Sequence, residues 1–403
     1  MELFWLEHKK LWRKKIVKIC VLLCFVYCVI FGSILSFQWF SFGSSDDYTS
    51  EFGNNFDGYT VIKDSQEYAL SFGGELTDET LQQIVSDYQQ MEADGMEEEL
   101  EKTDWQIVNS WLGTLYPELR DTSNYKTMIS YVDPDKLTGF YERRQQVLDE
   151  FLEVSGQVGA EKEYLHQIDG KVEKPFHYEW VEGWSTLLGS MVADLGVVMA
   201  LFLGIVLSSL FAGEWHDNTS TLVLTTRNGW GKIALAKILT GLAFTVELFA
   251  LLAVSSVISQ LLFMGTAGWD MPIQNIKLIA VAPMNMLQAE IYEYAFVLLG
   301  AIGFAGIVMF ISAAVKNNVL TLLLSLTVVY GPMMIAEYLP YGMQKALDLI
   351  PLVGSSTDIF RTNTFRIFGK LIWSPYLLII IPVLIGILCM PFAIKSWSRR
   401  MKA

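Results

Sequence analysis

The sequence predicts an all-α polytopic membrane protein: six transmembrane helices, with a mainly helical extracytoplasmic domain inserted between spans 1 and 2. Three observations predict it. Hydrophobic residues make up 52% of the chain, and they gather into long runs instead of mixing at period 2 or 3.6. One polar stretch of roughly 145 residues separates the first two runs, enough for a small domain. The charge is also partitioned: the net value is −14, yet Asp46 to Glu182 carry roughly 31 acidic against 10 basic residues, leaving an excess of roughly 7 positive charges elsewhere.

Residues 1–15, with Ile16 just after them, place Phe4, Leu11, Trp12 and Ile16 at helical spacing beside Lys9, Lys10, Arg13, Lys14 and Lys15. That is the makeup of a cytoplasmic amphipathic helix on an anionic membrane face; an ordinary basic flank is the simpler alternative. Residues 16–40 form the first span, too long for a signal-peptide core and without an A-x-A cleavage site after it. Cys20, Cys24 and Cys28 share one face of it as small buried side chains. Cys389 also lies in an apolar run, so the polar stretch has no cysteine for disulfides or a zinc ribbon.

Residues 41–185 form the extracytoplasmic domain. Thr77 caps a helix with Asp78 and Glu79 in its first turn, Leu81, Ile84, Val85 and Tyr88 on its apolar face and Gly95 at its end. A second helix carries Trp105, Ile107, Val108, Trp111 and Leu112; a third runs from about Asp135 through Phe140, Val147, Leu148 and Phe151 to Gly156. The run Glu97, Glu98, Glu99 and Glu101 lacks calcium-loop spacing and reads as a solvated face.

Further spans are predicted at 186–211, 238–263, 292–314, 319–338 and 372–394, each near the ~20 residues needed to cross a bilayer. Six crossings return the tail, 395–403, to the cytoplasm, and Lys395, Arg399, Arg400 and Lys402 agree, as do Arg227, Lys232 and Lys316 in connections on the same side. Residues 339–370, broken by Pro340, Pro351 and Gly354, read as an extracytoplasmic interfacial or re-entrant segment. Gly300, Gly303 and Gly306, and Gly204 with Ser208, permit close helix approach within one subunit or across a dimer. Pro332, Pro375, Pro382 and Pro391 are read as interruptions of their helices.

Enzymatic chemistry finds little footing. His8, His166, His177 and His216 all lie outside the span centres, so no intramembrane metal site is expected. Gly229-Trp-Gly231-Lys232 is followed by Ile233, which has no hydroxyl for Mg²⁺, and the earlier glycine of a nucleotide loop is missing. Two carboxylates, Asp194 and Glu247, stand inside predicted spans. Facing lipid each would cost about 2.5–3.5 kcal/mol, so each is either a candidate lining of a substrate path or a hydrogen-bond partner of a neighbouring helix.

The residues between spans 2 and 3, 212–237, carry the most specific pattern: Phe211-Ala-Gly-Glu214-Trp-His-Asp-Asn-Thr219-Ser-Thr221-Leu222-Val-Leu224-Thr225-Thr226-Arg227-Asn-Gly229-Trp-Gly231-Lys232, ending in Lys237. Together with the topology, it resembles the permease subunits of ATP-binding-cassette type-2 exporters, of the Gram-positive kind with a large extracytoplasmic domain between the first two spans. The resemblance implies that Glu214, Thr219, Leu222, Leu224, Thr226, Arg227 and Lys237 form an ATPase-coupling segment. It also implies partners: a separate cassette ATPase subunit that binds ATP and Mg²⁺, and a second permease subunit as homo- or heterodimer. Independently, apolar Leu222, Val223 and Leu224 among polar neighbours suit docking in a groove.

The function expected is thus that of an exporter permease in a bacterial plasma membrane, with both termini cytoplasmic and alternating access driven by the ATPase partner. No cofactor in this chain and no nucleic-acid partner are expected. The acidic domain and the intramembrane carboxylates lean toward cationic cargo such as antimicrobial peptides. The rival reading is a receptor or sensor whose acidic outer domain binds a ligand.

Overall fold

Membrane helices form where the chain offers some twenty apolar residues without a break, because backbone polar groups in hydrocarbon must be satisfied within the segment. Five helices in the computed structural model meet that condition. It describes residues 2–30, 66, 73–96, 105–121, 126–217, 219, 231–353, 360 and 362–399. The expected coupling residues Leu222, Leu224, Thr226 and Arg227 lie outside them, as does the run Glu97 to Glu101.

At the N-terminus α1 (Glu2–Arg13) buries Leu11 and ends at Lys14, whose extended backbone turns the chain into α2 (Lys15–Val29). Val17, Cys20, Cys24 and Cys28 are the buried line of α2, while Ile19, Leu22, Leu23 and Val26 face outward, so the four-residue cysteine spacing reflects packing. The remainder of the predicted first span, after Ile30, lies outside the described residues.

The polar domain contains α3 (Asp78–Ala93), α4 (Trp105–Leu115), α5 (Phe140–Val154) and α6 (Ala160–Asp169), closed by a short antiparallel pair, β1 (Gly74–Glu75) with β2 (His177–Tyr178). Thr77 caps α3 as expected, accepting from the Thr80 amide at 3.2 Å. Asp78 stands in the first turn of α3 as expected, and its carboxylate also accepts from the amides of Gly139 and Phe140 at 2.7 and 2.8 Å, and so caps α5. The third helix begins at Phe140 and not near Asp135: Pro134 opens a separate 3-10 turn, and Gly139, with φ 72°, breaks the path between the two. Helix α6 was not among the helices predicted, and the two described strand pairs depart from the all-α expectation.

After α7 (Glu182–Thr186) and a π turn over Leu187–Met191 come the long helices: α8 (Val192–His216), α9 (Lys232–Met264), α10 (Met286–Ala314), α11 (Asn318–Ile335) and, at the C-terminus, α13 (Ser374–Arg399). Each contains most of a predicted span, but α9 starts six residues early, placing Lys237 within the helix. Helix α10 is central, packing on α8, α9, α11 and most extensively α13. The α10–α13 seam is backbone on backbone: a Cβ on Gly303 would lie 2.3 Å from the Pro382 carbonyl oxygen, and one on Gly306 2.4 Å from that of Gly386. The glycine series therefore serves packing within one subunit. Gly204 lies against Leu322 and Leu326 of α11. Pro332, Pro382 and Pro391 stand inside helices, whereas Pro375 occupies the first turn of α13, where no ladder bond is lost; the expectation that it interrupts its helix is corrected.

Between α11 and α13 the chain forms α12 (Tyr341–Leu347), then inserts Leu352 against Gly300 and Pro351 against Gly303 in the bundle. It next forms a hairpin, β3 (Thr364–Ile367) with β4 (Lys370–Trp373). The hairpin joins the polar domain through Thr364 to Gln157 at 2.8 Å and Arg366 to Glu161 at 2.7 Å. The α9–α10 connection joins the same domain. Arg144, fully buried, donates to Leu278 O at 2.7 Å and Ala280 O at 3.1 Å while holding both oxygens of Asp169. The polar domain thus sits at one end of the bundle. At the other end Trp397 packs on Phe211 and Trp215, and the Lys316 ammonium lies 4.3 Å from the Trp215 ring centre.

Candidate functional site

The end of the bundle away from the polar domain holds a cluster of paired charges centred on the buried Glu214 and Lys237. Helix α8 carries Glu214 to its last turn, α9 carries Lys237 in its second turn, and α1 packs on α9 and reaches Glu214 through Lys10. The Lys237 ammonium, 2% exposed, donates to Glu214 Oε1 and to Glu7 Oε2, each at 2.8 Å. Lys10 donates to Glu214 Oε1 at 2.6 Å, and the Thr219 hydroxyl donates to Glu214 Oε2. Beside them Lys14 donates to Ser209 Oγ at 2.9 Å. A buried carboxylate is tolerated when donors, charged ones above all, fill its lone pairs, and Glu214 takes two ammonium groups and one hydroxyl.

The flanking lysines register this field. Partial burial works against the charged form of Lys10, but the hydrogen bond and charge of Glu214 outweigh it and raise the pKa. Burial, reinforced by the ammonium groups of Lys237 and Lys10, lowers that of Lys14. The cluster is balanced by position: two carboxylates alternate with Lys237 and Lys10, and Lys14 sits at the repelled edge.

Of the residues singled out for coupling, the structure brings Glu214, Thr219 and Lys237 together. They bracket the stretch 220–230, so that α8 and α9 are tied to each other and to α1 where that connection leaves and returns. Glu7 and Lys10 were missed; the sequence offers only their place in a charged helix, and their partners stand some two hundred positions away.

The intramembrane carboxylates fare differently. Glu247 of α9 accepts from Trp12 Nε1 at 3.0 Å and pairs with His8 Nε2 at 3.2 Å, so α1 engages both its oxygens. Phe4, Trp5, His8 and Trp12 stack in series along that face, ending on Phe244. Glu247 therefore seats α1, matching the hydrogen-bond alternative weighed for it. Asp194 falls in the first turn of α8; its side chain lies outside the description.

Two other carboxylates are buried inside α10 and were overlooked, Glu290 and Glu293, spaced three apart. Neither oxygen of Glu290 makes a hydrogen bond. A legible signal existed. Asn285 and Gln288 form a capping box, each side chain bonded to the other residue's amide, which starts α10 six residues before the predicted 292 and takes Glu290 into the helix. Among the described residues no three His, Cys, Asp or Glu side chains gather as metal ligands.

At this end of the bundle α1, α8 and α9 are therefore joined through the ion pairs of Glu214 and Lys237, which flank residues 220–230 in the sequence. Comparison of the chain with protein-family models, with curated proteins and with solved structures gives no match in any of the three.

Proposed function

We propose that the chain is the permease subunit of an ATP-binding-cassette exporter in a bacterial plasma membrane, moving its substrate outward by alternating access. The observation that carries this reading is the Glu7–Lys237–Glu214–Lys10 cluster. It fixes the two ends of the 220–230 segment to long helices, so a displacement imposed on that segment is passed to α8, α9 and α1 together. A stiff ionic junction transmits motion because packed elements shift between discrete arrangements instead of bending continuously.

In this reading six spans cross the bilayer, residues 16–40 supplying the first. The polar domain and the hairpin are extracytoplasmic, and both termini are cytoplasmic. The inserted turns around Leu352 are re-entrant, their backbone shielded by α10 and α13. Helix α1 lies at the inner headgroup level with Trp5 and Leu6 outward. Energy comes from a separate ATPase subunit that binds ATP and Mg²⁺ and docks on Leu222 to Arg227, and a second permease subunit completes the pathway. The acidic domain favours cationic cargo, such as antimicrobial peptides.

The test is purification of the full chain from its native membrane in mild detergent, followed by assay of ATP hydrolysis in the eluate. A co-purifying cassette ATPase, lost on Leu222→Asp while the permease remains folded, is the expected result. A stable complex of the native chain without ATPase activity would sink the proposal.

A further inference from the structure

The β3–β4 hairpin turns through two residues, since Ile367 pairs with Lys370, and both have positive φ: 49° at Phe368 and 80° at Gly369. In such a turn the first position ordinarily holds Asn, Asp or Gly. A bulky side chain there is an outlier that strains the backbone. Phe368 is also fully exposed, so no packing within the chain offsets that strain.

Two other segments with exposed apolar side chains are fixed beside the hairpin. Thr364 donates to Gln157 at 2.8 Å and Arg366 to Glu161 at 2.7 Å, which holds the α5–α6 turn against β3. That turn carries Val154, 89% exposed, and Val158, 58% exposed. Lys345 of α12 donates to Thr364 O at 3.0 Å and lies 5.6 Å from the Phe365 ring centre, so α12, with Met343 exposed, is held to the same strand.

Both sides of this edge run into helices long and apolar enough to cross a membrane. Only residues 336–340 separate α11 from α12, and β4 passes directly into α13 at Ser374. At the ends of those helices the exposed side chains are again apolar or aromatic: Met334, Ile335 and Tyr338 after α11, and Tyr376 and Ile380 in α13. The charges of the hairpin are Arg366 and Lys370, with no acid, in contrast to the acidic domain beside it. Aromatic and aliphatic tips with cations suit the boundary of headgroup and acyl chain. A second protein surface fits less well, because a few tips from separate segments fall short of the ~1,200 Å² that a stable interface buries.

We infer that this edge of the polar domain rests in the outer lipid layer, with Phe368, Val154 and Val158 inserted below the headgroups and Lys370 at their phosphates. The inference rests on the membrane topology proposed above and not on the ATPase partner.

The test is spin-label accessibility in the full chain, held in nanodiscs of phosphatidylcholine and phosphatidylglycerol. Cys20, Cys24 and Cys28 are buried, so Cys389→Ser gives the background. Labels go on Phe368→Cys and Val158→Cys, with Asp94→Cys in the polar domain and Ile380→Cys on α13 as references; all four positions are exposed. Oxygen concentrates in lipid and a nickel chelate stays in water. The ratio of oxygen to nickel access at 368 and 158 is expected to be several-fold above that at 94 and to approach that at 380. Labels at 368 and 158 as open to nickel as the one at 94, with 380 still oxygen-rich, overturn the inference and leave the topology standing. Exclusion of both reagents at 368 overturns it as well, since protein then covers the tip. Nickel access at 380 would remove the topology and this inference with it.

Discussion

Replacing Lys237 by Met removes the one ammonium that Glu7 and Glu214 share while keeping a similar volume. Glu214, 4% exposed, keeps Lys10 at 2.6 Å and the Thr219 hydroxyl, whereas Glu7 loses a 2.8 Å partner but lies nearer to solvent. Breaking a buried pair by removing one partner costs about 3–5 kcal/mol. Because Lys10 stays and Glu7 can hydrate, a smaller cost, about 2–3 kcal/mol, is expected. Adding Glu214→Gln removes the buried carboxylate that has lost one of its two ammonium partners and is expected to recover about 1–2 kcal/mol, a coupling that two independent sites would not show. The assay is denaturant unfolding of the full chain in nanodiscs, followed by tryptophan fluorescence, with tryptic cleavage at Arg13 and Lys14 reporting release of α1. A wild-type midpoint with unchanged cleavage in Lys237→Met would refute the ionic-junction argument.

At the opposite end, Arg144→Met strands Asp169, 2% exposed, and the Leu278 carbonyl; a loss of about 3–5 kcal/mol is expected, with faster amide exchange over 276–282 by mass spectrometry. Arg144→Met with Asp169→Leu is expected to be markedly less damaging than the single change. Burial, more than the nearby charge of Asp78, pushes the Tyr116 phenol from 10.0 to about 12. Between those values the unfolded chain has lost the proton and the folded one keeps it, so stability is flat below pH 10 and falls as pH rises toward 12. Tyr116→Phe is expected to flatten that alkaline limb in pH-dependent unfolding. Gly303→Ala forces a Cβ within 2.3 Å of the Pro382 oxygen and separates α10 from α13, costing at least about 1–3 kcal/mol in thermal unfolding, whereas Gly113→Ala, with nothing within 4 Å, is expected to be neutral or stabilising.

Much of the local structure was legible because its causes are local. Thr77 capped α3, the spacing of Leu81, Ile84 and Val85 chose its buried face, and the cysteine line of α2 followed a four-residue repeat. The errors were failures of local reading as well: the Pro134 turn before Gly139 displaced the start of α5, and the Asn285–Gln288 box was passed over, hiding Glu290 and Glu293. Helix α6, ten residues between Gly159 and Gly170, is too short for its periodicity to stand out. Of the coupling set, Glu214, Thr219 and Lys237 were found through a motif and not through any signal that they touch.

By itself the sequence determined the apolar helices and the separate acidic, cysteine-free domain, since apolar run length, capping residues and charge partition act within a few turns of the chain. Only the tertiary structure decided which charges meet. Asp78 caps a helix sixty residues away, Glu247 holds α1, Arg144 ties the polar domain to the α9–α10 connection, and Glu214 shares Lys237 with Glu7. A salt bridge is a statement about two points in space, and a sequence fixes a charged residue's chemistry but not the neighbour that will neutralise it.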